Sequence, residues 1–297
     1  MKQLALGFAA ALLLLSLGGA RSAIAAFPGP NGAIAFVSDR SGNDDIYILA
    51  GDGPAKRMTS APSPDEDPAW SADGTKIAFW SQRKGNIDVY VLHVDGSGTD
   101  RVTTNRTLDA RPAWAPDGER LVFERISGGN RDLYVKNLTT GNTKRLTSNP
   151  GEDSEAAWSP DGTKIAFASA RSGGWEIYVV PATGGSATRL TGSKGANHDP
   201  NWSPDGTHIV FWSSRTGQPQ IFSMTAAGTR ETALSTGPGA KYDPAWSPNG
   251  RRIAFSTDKG HLGNYDVTTM PATGGALKRR TSSSSLDLAP DWAPLGP

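Results

Sequence analysis

Pro68-Ala-Trp-Ser-Ala-Asp-Gly74 is the stretch that decides the fold, because it returns with small edits around Trp114, Trp158, Trp202, Trp246 and Trp292. Counted from Trp70, the intervals are 44, 44, 44, 44 and 46 residues. A self-similar period of this length, built from short strand-like runs and turn dipeptides, reads as one blade of a β-propeller.

Each period holds four segments. The first carries the Trp, as in Asp243-Pro-Ala-Trp246, and a Ser-Pro-Asp-Gly turn follows at Ser159–Gly162 and Ser203–Gly206. There Pro fixes φ and Gly supplies a positive φ. The second is Ile77-Ala-Phe79 or a relative of it, such as Leu121-Val-Phe123 or Ile253-Ala-Phe255. The third is Ile177-Tyr-Val-Val180 and its counterparts, and the fourth is Arg189-Leu-Thr191 and its counterparts. All are rich in β-branched and aromatic residues and are bounded by Gly, Pro, Asn and Asp, as strands are. The chain begins this pattern on a second-type strand, Ala33-Ile-Ala-Phe36, and ends on a Trp segment, Pro290–Pro294. The expected fold is therefore all-β, a six-bladed propeller over residues 27–297, in which the C-terminal strand completes the N-terminal blade and removes the open edge.

Composition narrows the function. Lys plus Arg is 30 against Asp plus Glu 29, so no bulk charge indicates nucleic acid or an anionic membrane. Gly 35 and Pro 21 fall at repeat-fixed turns rather than in a low-complexity tract. Residues 1–26 read as a secretory signal peptide: a positive start at Met1-Lys2-Gln3, an apolar run over Leu4–Leu17, and small residues for cleavage after Ala25 or Ala26. The run is shorter than the ~20 residues of a spanning helix, so no stable membrane span is expected after cleavage. With Cys 0 there is neither a disulfide framework nor a lipid-modified Cys. The mature chain is expected to be a periplasmic or secreted monomer.

The repeat Asp-Pro-Ala-Trp-Ser-Pro-Asp-Gly-x-x-Ile-Ala-Phe, then Ser-x-Arg-x-Gly, then Ile-Tyr-Val, resembles the WD-like propeller repeat of the TolB family over residues 31–297. The resemblance implies a periplasmic propeller that binds an envelope protein or peptide, without catalysis. TolB proteins carry an α/β domain before the propeller, whereas here Phe27–Pro30 alone separate the leader from the first repeat. Peptidase relatives of this propeller need a hydrolase domain, and no Gly-x-Ser-x-Gly nucleophile elbow occurs.

Strand direction places most of the charge on the face opposite the Ser-Pro-Asp-Gly turns. Acids stand five or three residues before each Trp: Asp65 and Asp67, Asp109, Asp153 and Glu155, Asp199, Asp243, Asp287. As a collar at the channel mouth they would bind a basic partner group, or a cation such as calcium; no other cofactor is expected. As structural groups they would cap turns or pair with Arg40, Arg83, Arg171 and Arg215, four residues after a second-strand Phe, where Lys259 and Ser127 take the remaining places. Recurrence in every blade favours pairing. By the same logic Asp88, Asp132, Glu176 and Asp266 read as Arg partners.

The six repeat Trp residues are expected to be buried between blades. Trp80, Trp175 and Trp212 are not in all blades and are expected to be exposed binding aromatics. Of four His, only His198 falls in the acidic collar, and no metal-ligand spacing connects them. His261 lies in the irregular Lys259–Asn264 connection, and departures from a repeat are where specific function concentrates. The competing class is an envelope hydrolase or lyase acting on glycan or peptide with channel-mouth carboxylates.

Overall fold

The computed structural model of the protein describes residues 27–192, 194–258 and 264–294. The leader expected over residues 1–26 and His261 lie outside the described residues. Among these residues every regular element is a strand, and no helix is long and apolar enough to cross a membrane.

Six four-stranded antiparallel sheets surround a common axis. The first blade contains β1 (Asn31–Ser38), β2 (Asp45–Leu49) and β3 (Lys56–Arg57). The second contains β4 (Asp65–Trp70), β5 (Lys76–Ser81), β6 (Asp88–His93) and β7 (Thr99–Arg101). The third contains β8 (Leu108–Trp114), β9 (Arg120–Ser127), β10 (Asn130–Asn137) and β11 (Thr143–Arg145). The fourth contains β12 (Asp153–Trp158), β13 (Lys164–Ser169), β14 (Glu176–Pro181) and β15 (Thr188–Arg189). The fifth contains β16 (Asn197–Trp202), β17 (His208–Ser213), β18 (Gln220–Thr225) and β19 (Thr232–Ala233). The sixth contains β20 (Lys241–Trp246), β21 (Arg252–Thr257), β22 (Asp266–Pro271) and β23 (Lys278–Arg279). The last strand, β24 (Asp287–Pro294), pairs with β1 and supplies the innermost strand of the first blade, so the ring closes as the segment order requires.

One blade shows why the repeat is written as it is. In β13, Phe167 is fully buried and packs on Tyr178 of β14 with ring centroids 5.9 Å apart. Arg171 lies over both rings, at 5.2 and 4.9 Å, and its Nη2 donates to both Asp153 carboxylate oxygens at 2.8 and 2.9 Å. The second-to-third turn is thereby fastened to the inner strand. On the outside, Thr191 Oγ1 accepts the Ile177 N–H at 2.9 Å, and Arg189 Nη2 donates to Glu176 Oε1 at 2.5 Å. At the opposite face the Asp161 carboxylate caps the Ser-Pro-Asp-Gly turn by accepting the Thr163 N–H at 3.0 Å. Gly162 has φ +68, and a Cβ there would lie 3.2 Å from Pro116 of the preceding blade. That turn needs Gly both for its backbone and for the close approach of blades.

The repeat Trp residues are at most 7% exposed and sit in the core clusters between neighbouring sheets. Burying an aromatic of this size contributes roughly 1.5–3 kcal/mol. The sixth blade departs from the pattern, with Thr268 opposite Phe255 where the other blades place an aromatic.

Candidate functional site

Two rings of side chains follow from one irregularity. Each inner strand contains a bulge, and the residue three before the Trp has a left-handed backbone: Asp67 (φ 53), Arg111 (50), Glu155 (59), Asp199 (49), Asp243 (54) and Ala289 (51). Bulges sharpen the local twist and re-aim side chains. The residue five before the Trp therefore stays with its own blade, whereas the residue three before it reaches toward the neighbouring inner strand.

The residues five before the Trp are structural. Asp65, Asp109, Asp153 and Asp287 are fully buried, and each pairs with an arginine: Arg83 at 2.7 Å, Arg125 at 2.7 Å, Arg171 at 2.8 Å and Arg40 at 2.7 Å. In the fifth blade the place is taken by Asn197, whose Oδ1 accepts from Arg215 at 2.8 Å. The pairing reading describes these positions, with one correction. In the third blade the partner is Arg125, which reaches Asp109 from within β9, and Ser127 is the last residue of that strand. The count from Phe123 misleads there because β9 continues to Ser127, two residues further past its Phe than β1 or β5 does. The third-strand acids also pair as expected, Asp88 with Arg101, Asp132 with Arg145, Glu176 with Arg189 and Asp266 with Arg279.

The residues three before the Trp form the inner ring. The Arg111 guanidinium, 7% exposed, lies 3.7 Å from Asp67, 3.5 Å from Glu124 and 3.6 Å from Glu155. Burial opposes its charge, but Glu124, Asp67 and Glu155 outweigh burial and raise its pKa. Glu155 Oε2 accepts the Asp199 N–H at 3.0 Å and lies 3.0 Å from His198 Nδ1. Although burial works against ionisation, His198 and Arg111 hold Glu155 below the usual carboxylate range. Asp199 behaves oppositely: burial first, then the charges of Glu155 and Asp243, push its carboxyl well above the usual range. Asp243 accepts from Ser256 Oγ at 2.9 Å.

Trp80 and Trp212 do not stand exposed, as their alternation away from the second-strand Phe led us to expect. They are 4% and 5% exposed, and their indole N–H groups donate to Asp67 at 2.7 Å and Asp199 at 2.6 Å. The face turned away from the Phe of one blade is covered by the inner-strand bulge of the same sheet. A signal for this existed in the repeat. In five blades the residue after the second-strand Phe is matched to the residue three before the Trp: Trp80 with Asp67, Glu124 with Arg111, Trp212 with Asp199, Ser256 with Asp243, and apolar Val37 with Ala289; in the fourth, Ala168 leaves Glu155 to partners in other blades.

Above Glu155 and Asp199 the fourth, fifth and sixth blades contribute a chain of rings. His198 lies 4.8 Å from Trp175 and stacks on Trp212 at 4.6 Å; Trp212 meets Tyr242 edge-on at 5.1 Å, and Tyr242 is 5.9 Å from Tyr265. Trp175, His198, Tyr242 and Tyr265 are partly exposed. Burial, then Tyr242 and Asp258, push the Tyr265 hydroxyl up to about 12. Sequence reading found Trp175 and His198 but not Tyr242 or Tyr265, which sit at positions unlike one another in the repeat. Among the described residues no group of three or more His, Asp or Glu is spaced to hold a metal ion.

Comparison with known proteins agrees with this architecture. A family model described as the TolB beta propeller domain matches residues 14–111, 105–193 and 173–297. The chain is similar to the crystal structure of TolB from Acinetobacter baumannii, at 28% identity and a TM-score of 0.79, covering 89% of this chain and 67% of that one. A structure assigned as TolB from Agrobacterium tumefaciens is 25% identical with a TM-score of 0.70, covering 84% of this chain and 88% of that one. Oligogalacturonate lyase from Vibrio parahaemolyticus is 13% identical with a TM-score of 0.61, covering 88% and 77%, a likeness of fold alone. No curated protein matches the sequence significantly.

Proposed function

The chain belongs to the TolB β-propeller domain family, and from that membership we propose that it is an exported propeller, periplasmic or secreted, that binds a protein or peptide partner in the cell envelope. The partner meets the mouth of the axial channel on the charged face. One observation carries this reading. The acids five before the Trp are each committed to an arginine or an equivalent pair within the blade, whereas the ring of Asp67, Arg111, Glu155, Asp199 and Asp243 brings buried charge from successive blades to one place. Charge held on rigid strands around the axis is suited to orienting a complementary partner.

The test is site-specific photo-crosslinking in the native host. A crosslinking residue in place of Glu66, half-buried and one residue before Asp67, should capture a discrete envelope protein, whereas one in place of Lys56 on the outer edge should not. Capture at Lys56 alone would overturn the mouth as the binding surface. Export is tested by mass spectrometry of the envelope fraction, where the mature chain should begin at Ala26 or Phe27.

A second reading, an envelope hydrolase or lyase, is favoured by the 3.0 Å contact between His198 and Glu155, which orients an imidazole beside two carboxyl groups. Turnover of an envelope glycan or peptide that disappears in His198→Ala would select it. The proposed reading needs neither a metal nor another cofactor; a calcium-dependent rise in melting temperature, lost in Asp199→Asn, would place an ion in the ring instead.

A further inference from the structure

The protein repeats one chemical arrangement in five blades. A guanidinium lies over a Phe and its cross-strand aromatic neighbour while bonding a fully buried polar side chain: Arg40, Arg83, Arg125, Arg171 and Arg215 are 4.5–4.9 Å from the second ring. In four of these the buried partner is a carboxylate, Asp287, Asp65, Asp109 or Asp153. Guanidinium suits this setting because it is planar, permanently charged, weakly hydrated and able to bond a carboxylate at its edge while stacking on an aromatic face.

The mouth presents the same two components, with Trp175, His198 and Tyr242 partly exposed and Trp212 buried among them. Trp175, His198, Trp212 and Tyr242 form a continuous wall with neighbouring centroids 4.6–5.1 Å apart. Directly behind this wall stand Glu155, in contact with His198, and Asp199, bonded to the Trp212 indole. Asp199 is 0% exposed, and its Oδ1 has no hydrogen-bond partner among the described residues. The negative charge of Glu155 behind these rings attracts a cation to the parts of them that are exposed. Here the described residues supply the aromatics and the acids but no guanidinium over these rings.

We propose that the Trp175–His198–Trp212–Tyr242 cluster is the seat for an arginine side chain of the partner, whose guanidinium stacks on the partly exposed Trp175 and Tyr242 rings, with the acids behind the cluster acting through space where the blade arginines bond a carboxylate directly. This inference rests on the mouth reading above and adds the chemistry of what enters. The crowding of Glu155, Asp199 and Asp243, with Arg111 as the nearest cation, supports it, because burial and then these like charges push the Asp199 carboxyl well above the usual carboxylate range. An incoming guanidinium would offset that rise.

The probe is the capped tripeptide acetyl-Gly-Arg-Gly-amide, with acetyl-Gly-citrulline-Gly-amide as its neutral isostere, titrated by calorimetry against the protein lacking its leader. Saturable binding of the arginine peptide, at least tenfold tighter than the citrulline peptide, is expected. Trp175→Ala and Tyr242→Ala, both at partly exposed positions, should each weaken the arginine peptide about tenfold while keeping a cooperative melt. Equal affinity for the two peptides, no saturation by about 10 mM, or no effect of either substitution would overturn the seat. The Glu66 crosslinking experiment separates the two claims: partner capture that persists in the Trp175→Ala protein sinks the arginine seat and leaves the mouth reading standing. Loss of capture in Trp175→Ala supports both, whereas peptide binding without any mouth capture sinks the partner reading alone.

Discussion

Asp291 accepts a 2.7 Å hydrogen bond from the backbone N–H of Trp70, joining the closing strand to the inner strand of the next blade. Asn201 holds the same repeat position, one before the Trp, and its Oδ1 accepts the Trp246 N–H at 2.9 Å. The contact needs an acceptor but no charge. Burial nevertheless raises the Asp291 carboxyl to about 8, with the Trp70 and Trp292 N–H groups offsetting part of the rise.

Asp291→Asn should therefore stabilise the protein in a pH-dependent way. A carboxyl whose folded pKa lies above its unfolded value of about 3.9 contributes fully below that value, and loses its contribution as pH rises toward about 8. The variant removes that loss. Thermal unfolding at pH 5 and pH 8 should show a gain that grows between the two, reaching on the order of 2–4 kcal/mol. A gain independent of pH would mean that Asp291 does not hold its proton in the fold.

Arg171→Met should cost about 2–4 kcal/mol, because it strands the fully buried Asp153 carboxylate and uncovers Phe167 and Tyr178. Adding Asp153→Leu should recover part of that loss, since the stranded charge and not the missing contact is the larger cost. Chemical denaturation of the two variants measures both quantities.

Trp158→Ala should cost about 3–5 kcal/mol, as expected for a fully buried aromatic at a blade interface. A change below about 1 kcal/mol would place the ring at the surface.

Removing residues 286–297 deletes β24 and leaves β1 unpaired on its inner edge, with Ile34 and Phe36 uncovered. The product should aggregate or melt without cooperativity. A monomer with an unchanged melt in light scattering and calorimetry would contradict closure by this strand.

The repeat told the blade count, the strand order and the closing strand because each depends on local pattern: alternation within a strand, turn chemistry between strands, and a period long enough for four of them. It also told that acids five before the Trp pair with arginine, since partner and acid recur together. Where a partner shifts along its strand, as Arg125 does for Asp109, counting from the Phe loses it. The exposed reading of Trp80 and Trp212 failed for a related reason. Alternation assigns a side chain to a face of the sheet, but not to what covers that face, and here the covering group is the bulged residue of the adjoining inner strand.

By itself, then, the sequence determined the scaffold: six copies of one blade, Phe and Trp inside, and Gly at turns that need positive φ. Tertiary structure alone decided the site. The left-handed residue in each inner strand turns Asp67, Arg111, Glu155, Asp199 and Asp243, about 44 residues apart in the chain, into neighbours around the axis. Whether a carboxyl there keeps its proton depends on burial and on charges in other blades. Nothing local distinguishes Glu155, which His198 and Arg111 pull below the usual carboxylate range against burial, from Asp199 one blade away, pushed above it by burial and then by Glu155 and Asp243.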